Sequence, residues 1–267
     1  NLIADYSSNT ANLNISTGAE FDLRGQPATW GGLGGSGNVI NSFGYGGANL
    51  LTIGAGNKGG TFTGAIGGGG NGAGGDGDGL TALRKIGTAV QYLDGASSYT
   101  GTTTVSGGYL VGRNNSAIGA GPAGLFVENG ATFQLEHATG ITISGKTATI
   151  TGGGVGGTRG ALASWSGANT WDGPVVMTGD SSIYVNSSSL TVSDAVSGNY
   201  NLTKIGAGRL VLGGSSANTF SGSTTVSGGK IVLAKPAGTN AVGGDLVIAS
   251  PSGWSNSNTG VDLGASE

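Results

Sequence analysis

The sequence lacks cysteine altogether and contains little charge, proline or histidine. Its 267 residues include 0 Cys, 5 Pro and 1 His, and only 9% of them are charged. The absence of cysteine excludes disulfides, thiolate catalysis and Cys-ligated metal sites. A net charge of −3 and a pI near 5.0 leave no basic stripe that could neutralise phosphates, so the sequence predicts no nucleic-acid partner.

Long hydrophobic runs are also missing. No stretch approaches the roughly 18 apolar residues that a membrane-spanning helix needs, and no charged segment followed by an apolar stretch precedes the first strand patterns. We therefore expect no transmembrane segment in this chain, and we expect any signal or anchor to have been cleaved or to lie outside this sequence.

Glycine is what the chain has in excess, with 59 residues. Because proline is scarce and no Gly-X-Y period exists, neither collagen nor a proline-rich linker fits. Glycine mixed with Ser, Thr, Asn, Val, Ile and Leu is typical of short strands separated by tight turns. This composition predicts an all-β protein.

Internal repeats organise the chain. The string ANTFSGSTTVSGGKIVL (217–233) largely repeats SSYTGTTTVSGGYLV (97–111), and ANTWDGPVVMTGD (168–180) is a looser copy. A second motif precedes the copies, as LRKIG (83–87) and NLTKIGAGRLVLGG (201–214). Units of several 4–6-residue strands at uneven spacing indicate stacked coils of roughly 20 residues.

Coils of variable length stacked on one axis predict a right-handed parallel β-helix, or β-solenoid. A β-sandwich would instead favour two-residue hairpin turns and a clean polar/apolar alternation. We expect one continuous solenoid over residues 1–267, with a glycine-rich loop at about 64–79.

The aromatic-x-Gly motif predicts a core stack of side chains at equivalent coil positions. Inward side chains of successive coils lie about 4.8 Å apart, so like residues pack on like residues. Aliphatic residues six positions after an aromatic extend the stack. The predicted core stack comprises Phe62, Tyr99, Trp171, Phe220, Val105, Met177 and Val226.

These motifs resemble the autotransporter-associated β-strand repeat, and the stretch 201–233 carries the resemblance most fully. The resemblance covers most of residues 11–250. It implies a β-helix in a large secreted or surface protein of Gram-negative type bacteria. The resemblance therefore implies that this chain lies outside the cell or on its outer surface, as a fragment of a passenger, a processed product, or a relative that is secreted another way.

Catalytic motifs are nearly absent. A Ser-His-Asp triad would have to use His137, which follows a strand in QLEHATG and is interpreted as a surface turn residue. Polysaccharide lyases and hydrolases on solenoid folds are the enzymatic alternative, and they need clustered carboxylates with a nearby Arg113 or Arg159. Asp180 and Asp194 fall in different coils and could meet on one face.

Calcium is the one cofactor that the sequence leaves open. Asp76 and Asp78 lie in GGNGAGGDGDGL (69–80), which is similar to a calcium-binding nonapeptide. Its register is off by one, and only a single copy occurs. We therefore expect no cofactor, with Ca²⁺ as the alternative at these two residues.

The favoured function is non-enzymatic: an extracellular stalk, adhesin or fibre-forming element that associates end to end. A polysaccharide-active enzyme and a carbohydrate-binding module on the same fold are the alternatives. Three tryptophans outside the aromatic-x-Gly motif are candidates for exposed contacts with surface glycans or other cell-surface proteins, namely Trp30, Trp165 and Trp254.

Overall fold

The structure is a computed structural model and describes residues 9–42, 49–67, 81–249 and 259–263. The chain divides into two compact units, Asn1–Leu125 and Phe126–Glu267. Both consist of short strands, and the helical segments within the described ranges are two 3-10 turns, Ala55–Asn57 and Val155–Gly157. Each unit is described by itself below.

The first unit contains eleven strands, and β12 crosses the boundary between the units. Their bounds are β1 (Leu13–Ile15), β2 (Glu20–Asp22), β3 (Ala28–Trp30), β4 (Leu33–Gly35), β5 (Asn38–Ile40), β6 (Asn49–Ile53), β7 (Gly60–Phe62), β8 (Thr81–Lys85), β9 (Val90–Leu93), β10 (Thr103–Val105), β11 (Gly108–Gly112) and β12 (Leu125–Val127).

The second unit continues the same pattern of short strands. Their bounds are β13 (Ala131–Glu136), β14 (Thr142–Ser144), β15 (Ala148–Gly152), β16 (Leu162–Ser166), β17 (Ala168–Asp172), β18 (Val175–Val185), β19 (Ser189–Val192), β20 (Val196–Ser197), β21 (Leu202–Ile205), β22 (Arg209–Leu212), β23 (Thr224–Val226), β24 (Lys230–Leu233), β25 (Leu246–Ile248) and β26 (Gly260–Leu263).

Strands pair in parallel with strands one coil away. In the first unit Leu83 of β8 pairs with Thr103 of β10. In the second unit Val175 of β18 pairs with Val196 of β20. Parallel pairing at such intervals is the signature of a chain that winds around an axis, because parallel neighbours require a crossover connection.

One coil of the second unit shows how the sequence is used. Strand β21 lies in one sheet, glycines at 206 and 208 turn the chain, and β22 lies in a second sheet of order β14-β17-β19-β22-β24-β26. A longer connection then returns the chain to β23, which pairs with β21. The KIGAG motif is therefore the corner between two sheets.

The core lies inside the coils and follows strand alternation. In β22 (RLVL) Leu210 and Leu212 are buried, while Arg209 is exposed. Leu210 pairs with Leu190 on one side and with Ile231 on the other. Because parallel in-register strands point equivalent side chains the same way, aliphatic residues stack along the axis.

The corner at Gly206 requires glycine. Its φ is +83°, and a Cβ there would lie 2.3 Å from the carbonyl oxygen of Val185 in the preceding coil. An L-residue would meet both backbone strain and a clash. Close approach of successive coils thus accounts for part of the unusual glycine content.

The predicted all-β, parallel β-helix with coils of about 20 residues is confirmed, with longer coils where segments are inserted. One such coil separates Asn49 from Thr81 and contains the predicted glycine-rich loop, most of which lies outside the described residues. The continuity of the solenoid over residues 1–267 stays a prediction. Among the described residues, no helix is long and apolar enough to cross a membrane.

Candidate functional site: corner lysines and an exposed aromatic cluster

The aromatic and aliphatic residues of the predicted core stack are all buried. None exposes more than 1% of its surface. Tyr99 also donates or accepts a 2.7 Å hydrogen bond with the hydroxyl of Thr103, and burial raises its pKa well above the usual range. The residues are Phe62, Tyr99, Trp171, Phe220, Val105, Met177 and Val226.

The prediction that Tyr99, Trp171 and Phe220 share one coil position is wrong for Trp171. Trp171 lies in strand β17 and pairs with Val192, which in turn pairs with Leu212. Phe220 instead lies in the connection after Leu212, where the neighbouring Thr219 and Ser221 bond the preceding coil. The motif therefore serves two coil positions, since both need a large inward side chain followed by a tight turn.

A buried polar residue stands two positions before three of the aromatics. Asn218 accepts a hydrogen bond from the Val196 N–H (2.8 Å) and donates to the Ala241 carbonyl (2.6 Å). Asn169 accepts from the Ile141 N–H at 2.9 Å. Ser97 takes the same role with the Ile66 N–H at 3.1 Å. These side chains satisfy backbone groups where no strand partner exists.

Two lysines of the KIG motif point into the core at the corner between the sheets. Lys85 and Lys204 are fully buried, and we call them the corner lysines. Each follows a buried leucine by two residues, so strand alternation places both side chains on the inner face. An inward ammonium group is unusual, because lysine is almost never fully buried without a partner.

The partners of Lys204 are three backbone carbonyl oxygens. Its Nζ donates to Ile205 (2.9 Å) and Gly206 (2.8 Å) in its own corner, and to Gly228 (3.0 Å) in the next coil. All three ammonium protons are used. The side chain thus bonds carbonyl oxygens that have no strand partner, because the chain turns at this corner.

Lys85 repeats this arrangement in the first unit. Its Nζ donates to Ile86 (2.7 Å), Gly87 (3.0 Å) and Gly107 (3.1 Å). Burial lowers the pKa of Lys85 to about 8 and that of Lys204 to about 7. The cause is desolvation, which disfavours the charged form of a buried amine.

A cluster of aromatic and cationic side chains lies on the outer face of the second unit. The rings of Trp165 and Tyr184, from consecutive coils, are stacked with centroids 6.2 Å apart and planes 22° apart. The guanidinium carbon of Arg159 lies 5.9 Å from the Trp165 ring and 5.8 Å from the Tyr184 ring. We call these three residues the aromatic cluster.

Comparisons with known proteins address the repeats. The Passenger-associated-transport-repeat family matches residues 83–111 and 202–233. Both matches begin within the strand that carries a corner lysine and end within the strand after the SGG glycines. Two segments of the chain are thus similar to passenger-associated transport repeats. No curated protein and no solved structure matches the chain significantly.

The two matches confirm the predicted kinship with the autotransporter repeat family. They also show what the repeat encodes. Within each passenger-associated transport repeat, the lysine of the KIG motif bonds the first glycine of the SGG motif. The KIG and SGG segments, which are about 20 residues apart in the repeat, thus meet at the same corner of the coil. Alternation with the preceding leucine places the lysine inside, but the repeat motif alone does not show which carbonyls it bonds.

The predicted exposed tryptophans differ from one another. Trp165 is 37% exposed, as a contact residue requires. Trp30 is half-buried and packs edge-to-face on Phe21, with ring centroids 5.5 Å apart. Trp254 lies outside the described residues. Only Trp165 therefore stands as a surface candidate in the described ranges.

His137, Asp180 and Asp194, the residues weighed for the enzymatic alternatives, each form hydrogen bonds with a different neighbour. His137 is exposed and its Nδ1 lies 3.1 Å from the hydroxyl of Thr139. Asp180 accepts hydrogen bonds from the backbone and side chain of Asn201, and Asp194 accepts one from the Ala195 N–H.

No group of three His, Cys, Asp or Glu residues that could hold a metal occurs in residues 9–42, 49–67, 81–249 and 259–263. Asp76 and Asp78, the calcium candidates, lie outside these ranges. The calcium hypothesis therefore stays a prediction.

The two arginines named with the enzymatic alternative have different surroundings. Arg113 lies over the Tyr92 ring at 3.9 Å and forms a salt bridge of 3.7 Å with Asp94. Arg159 forms no salt bridge with any described residue. The guanidinium of Arg159 therefore has no carboxylate partner in the part of the chain that the structure describes, whereas Arg113 is paired with Asp94.

Proposed function

We propose that the chain is a non-enzymatic structural and adhesive element of a secreted passenger, displayed at the outer surface of a Gram-negative type bacterium. Two passenger-associated transport repeats and a parallel β-solenoid fold support a passenger-like structural element. In this role, stacked coils provide length and stiffness, and the coil ends provide association.

The observation that carries the proposal is the apolar surface of the last two strands. Ile248 is 55% exposed and Leu263 is 76% exposed. Ile248 pairs in register with Val226, and Leu263 pairs with Leu233. Since Val226 is fully buried, Ile248 occupies an inward coil position that has no covering coil among the described residues.

An exposed inward position favours addition of a further coil. Strands β25 and β26 pair in the described ranges with β23 and β24 on one side only. Free strand edges accept another strand by backbone pairing, and the apolar side chains supply burial. We propose that a coil from a second copy of the chain covers this surface, which gives end-to-end association.

Negative-stain imaging and light scattering over a range of protein concentrations test the association. We expect elongated particles whose length grows with concentration. Ile248→Lys and Leu263→Lys should stop this growth, because each places a charge in an inward coil position. Tyr200→Lys is the matched control, since Tyr200 is 39% exposed and lies outside the last two strands.

Only monomers at high concentration would refute the association. So would particles that form equally well in the Ile248→Lys and Leu263→Lys variants. The enzymatic alternative has its own test. Release of unsaturated or reducing sugar ends from acidic polysaccharides would support a lyase or hydrolase and contradict the non-enzymatic role.

A further inference from the structure

The aromatic cluster lies where the regular coil is enlarged. Ala148 of β15 pairs with Val175, and Val175 pairs in turn with Val196. The first of these two coils is the longer one, and its extra length lies in the segment 153–160, between β15 and β16. An insertion into an otherwise regular repeat is where a function other than stacking can be added.

The inserted segment is held in a defined conformation. The Gly160 N–H donates to the Gly153 carbonyl at 2.8 Å, which closes the segment on itself. The buried Thr132 hydroxyl accepts from the Val155 N–H (3.0 Å) and donates to the Gly160 carbonyl (2.9 Å). Arg159 is therefore presented from an anchored turn.

The two rings are fixed as well. The Tyr184 hydroxyl donates to the Asn186 side-chain oxygen at 3.0 Å, and the Asn186 amide donates to the Trp165 carbonyl at 3.1 Å. The Ser187 hydroxyl donates to the same carbonyl at 3.0 Å. These hydrogen bonds connect consecutive coils beside the rings. Because the two side chains are already fixed, ligand binding costs little of their conformational entropy.

The cluster combines a partly exposed indole ring, which is stacked on a phenol ring, with a cation that has no carboxylate partner among the described residues. Aromatic faces pack against the C–H faces of pyranose rings, and a guanidinium binds a carboxylate through charge-assisted hydrogen bonds. Nucleic acid is disfavoured by the net charge of −3. Around the rings the surface offers the polar side chains of Thr158, Asn186 and Ser187 rather than a broad aliphatic patch.

We propose that Trp165, Tyr184 and Arg159 form a binding site for a carboxylate-bearing pyranose of an acidic polysaccharide. A sugar ring lies on the Trp165–Tyr184 pair, and its carboxylate is bound by Arg159. This site names the class of ligand for the adhesive role proposed above, and the inference rests on that role. End-to-end association does not enter into it.

Calorimetric titration of the full chain with trigalacturonate, and with cellotriose as a neutral control, tests the site. We expect trigalacturonate to bind about 10-fold more tightly than cellotriose. Trp165→Ala should weaken binding of both sugars about 10-fold. Arg159→Gln should weaken only trigalacturonate binding and so remove the preference for the acidic sugar.

The matched control is Arg113→Gln, which removes an arginine that lies on a tyrosine ring but is already paired with Asp94. It should leave both affinities unchanged. Arg159 is exposed, so its replacement should preserve the fold, and the unfolding midpoint in urea checks this for each variant.

Three results would overturn the site: no binding of trigalacturonate, equal affinity for the two sugars, or binding that survives Trp165→Ala. Particle growth measured in parallel separates these outcomes from the structural role. A chain that forms elongated particles but binds no sugar refutes the site alone.

Discussion

Replacement of Lys204 by methionine tests whether a corner lysine stabilises the solenoid. Methionine keeps most of the side-chain volume but removes three donors, and the carbonyls of Ile205, Gly206 and Gly228 lose their partner. An acceptor left unsatisfied in the interior costs about 1–3 kcal/mol. Three such acceptors together would cost about 6 kcal/mol.

Relief of the buried charge acts in the opposite direction. Burial lowers the pKa of Lys204 from 10.5 to about 7, which corresponds to a desolvation penalty of up to about 5 kcal/mol. Since this penalty reaches at most about 5 kcal/mol, the three unpaired carbonyls outweigh its relief by at least about 1 kcal/mol. We expect Lys204→Met to lower the free energy of unfolding by about 1–2 kcal/mol.

Urea denaturation at pH 7, followed by tryptophan fluorescence, measures the change. Lys230→Met is the matched control, because Lys230 is half-buried on β24 in the neighbouring coil. It should change stability by no more than about 0.5 kcal/mol. Hydrogen exchange over residues 202–229 should rise in Lys204→Met and not in the control, since the loss is local to one corner.

A Lys204→Met chain as stable as the wild type, or more stable, would refute the reasoning. It would mean that desolvation of the ammonium outweighs its three hydrogen bonds. An equal loss in Lys230→Met would show that the effect does not arise at the corner.

Stability should rise between about pH 7 and pH 9, because the corner lysines bind fewer protons in the folded chain than in the unfolded chain, where their pKa returns to 10.5. Urea titrations across this range measure the change, and a flat profile would contradict it. Gly206→Ala should cost about 3 kcal/mol, because it combines a φ of +83° with a clash. Gly238→Ala should cost only about 1 kcal/mol, because its φ is +80° but its Cβ meets no atom within 4 Å; equal losses in the two urea midpoints would show that the coils do not approach as closely as described. Asn218→Ala should cost about 2 kcal/mol by leaving the buried Val196 N–H and the half-buried Ala241 carbonyl unpaired, and an unchanged thermal midpoint would exclude a role for this side chain.

The fold could be predicted from the sequence because the coil imposes its period on the residues. The string LTKIGAGRLVL contains two strands with inward leucines and a glycine corner, and strand alternation together with repetition is enough to place them. The position of Trp171 could not be predicted in this way. An aromatic residue before a tight turn fits two coil positions, one within a strand and one in the connection that follows a strand. Only the pairing of Trp171 with Val192 shows that Trp171 lies within a strand.

The candidate site was predictable only in part. Trp165 stood out because it lies outside the repeated motif. Its neighbours Tyr184 and Arg159 could not be assigned, because the contact with Tyr184 depends on the register in which β16 pairs with β18. The position of Arg159 depends on how the segment 153–160 closes on itself, which glycine-rich sequence leaves open.

The hydrogen bonds of the corner lysine also connect each corner to the coil that follows it in the chain. Lys204 finds two acceptors in its own corner, but the third, Gly228, belongs to the coil that comes later in the chain. Asn218 likewise accepts a hydrogen bond from the Val196 N–H of the preceding coil and donates one to the Ala241 carbonyl of the following coil. The corner at Lys204 therefore keeps an unpaired donor until the following coil is in place. The same holds for Lys85 and Gly107, so each of these two corners depends for its last hydrogen bond on the coil that follows it in the chain.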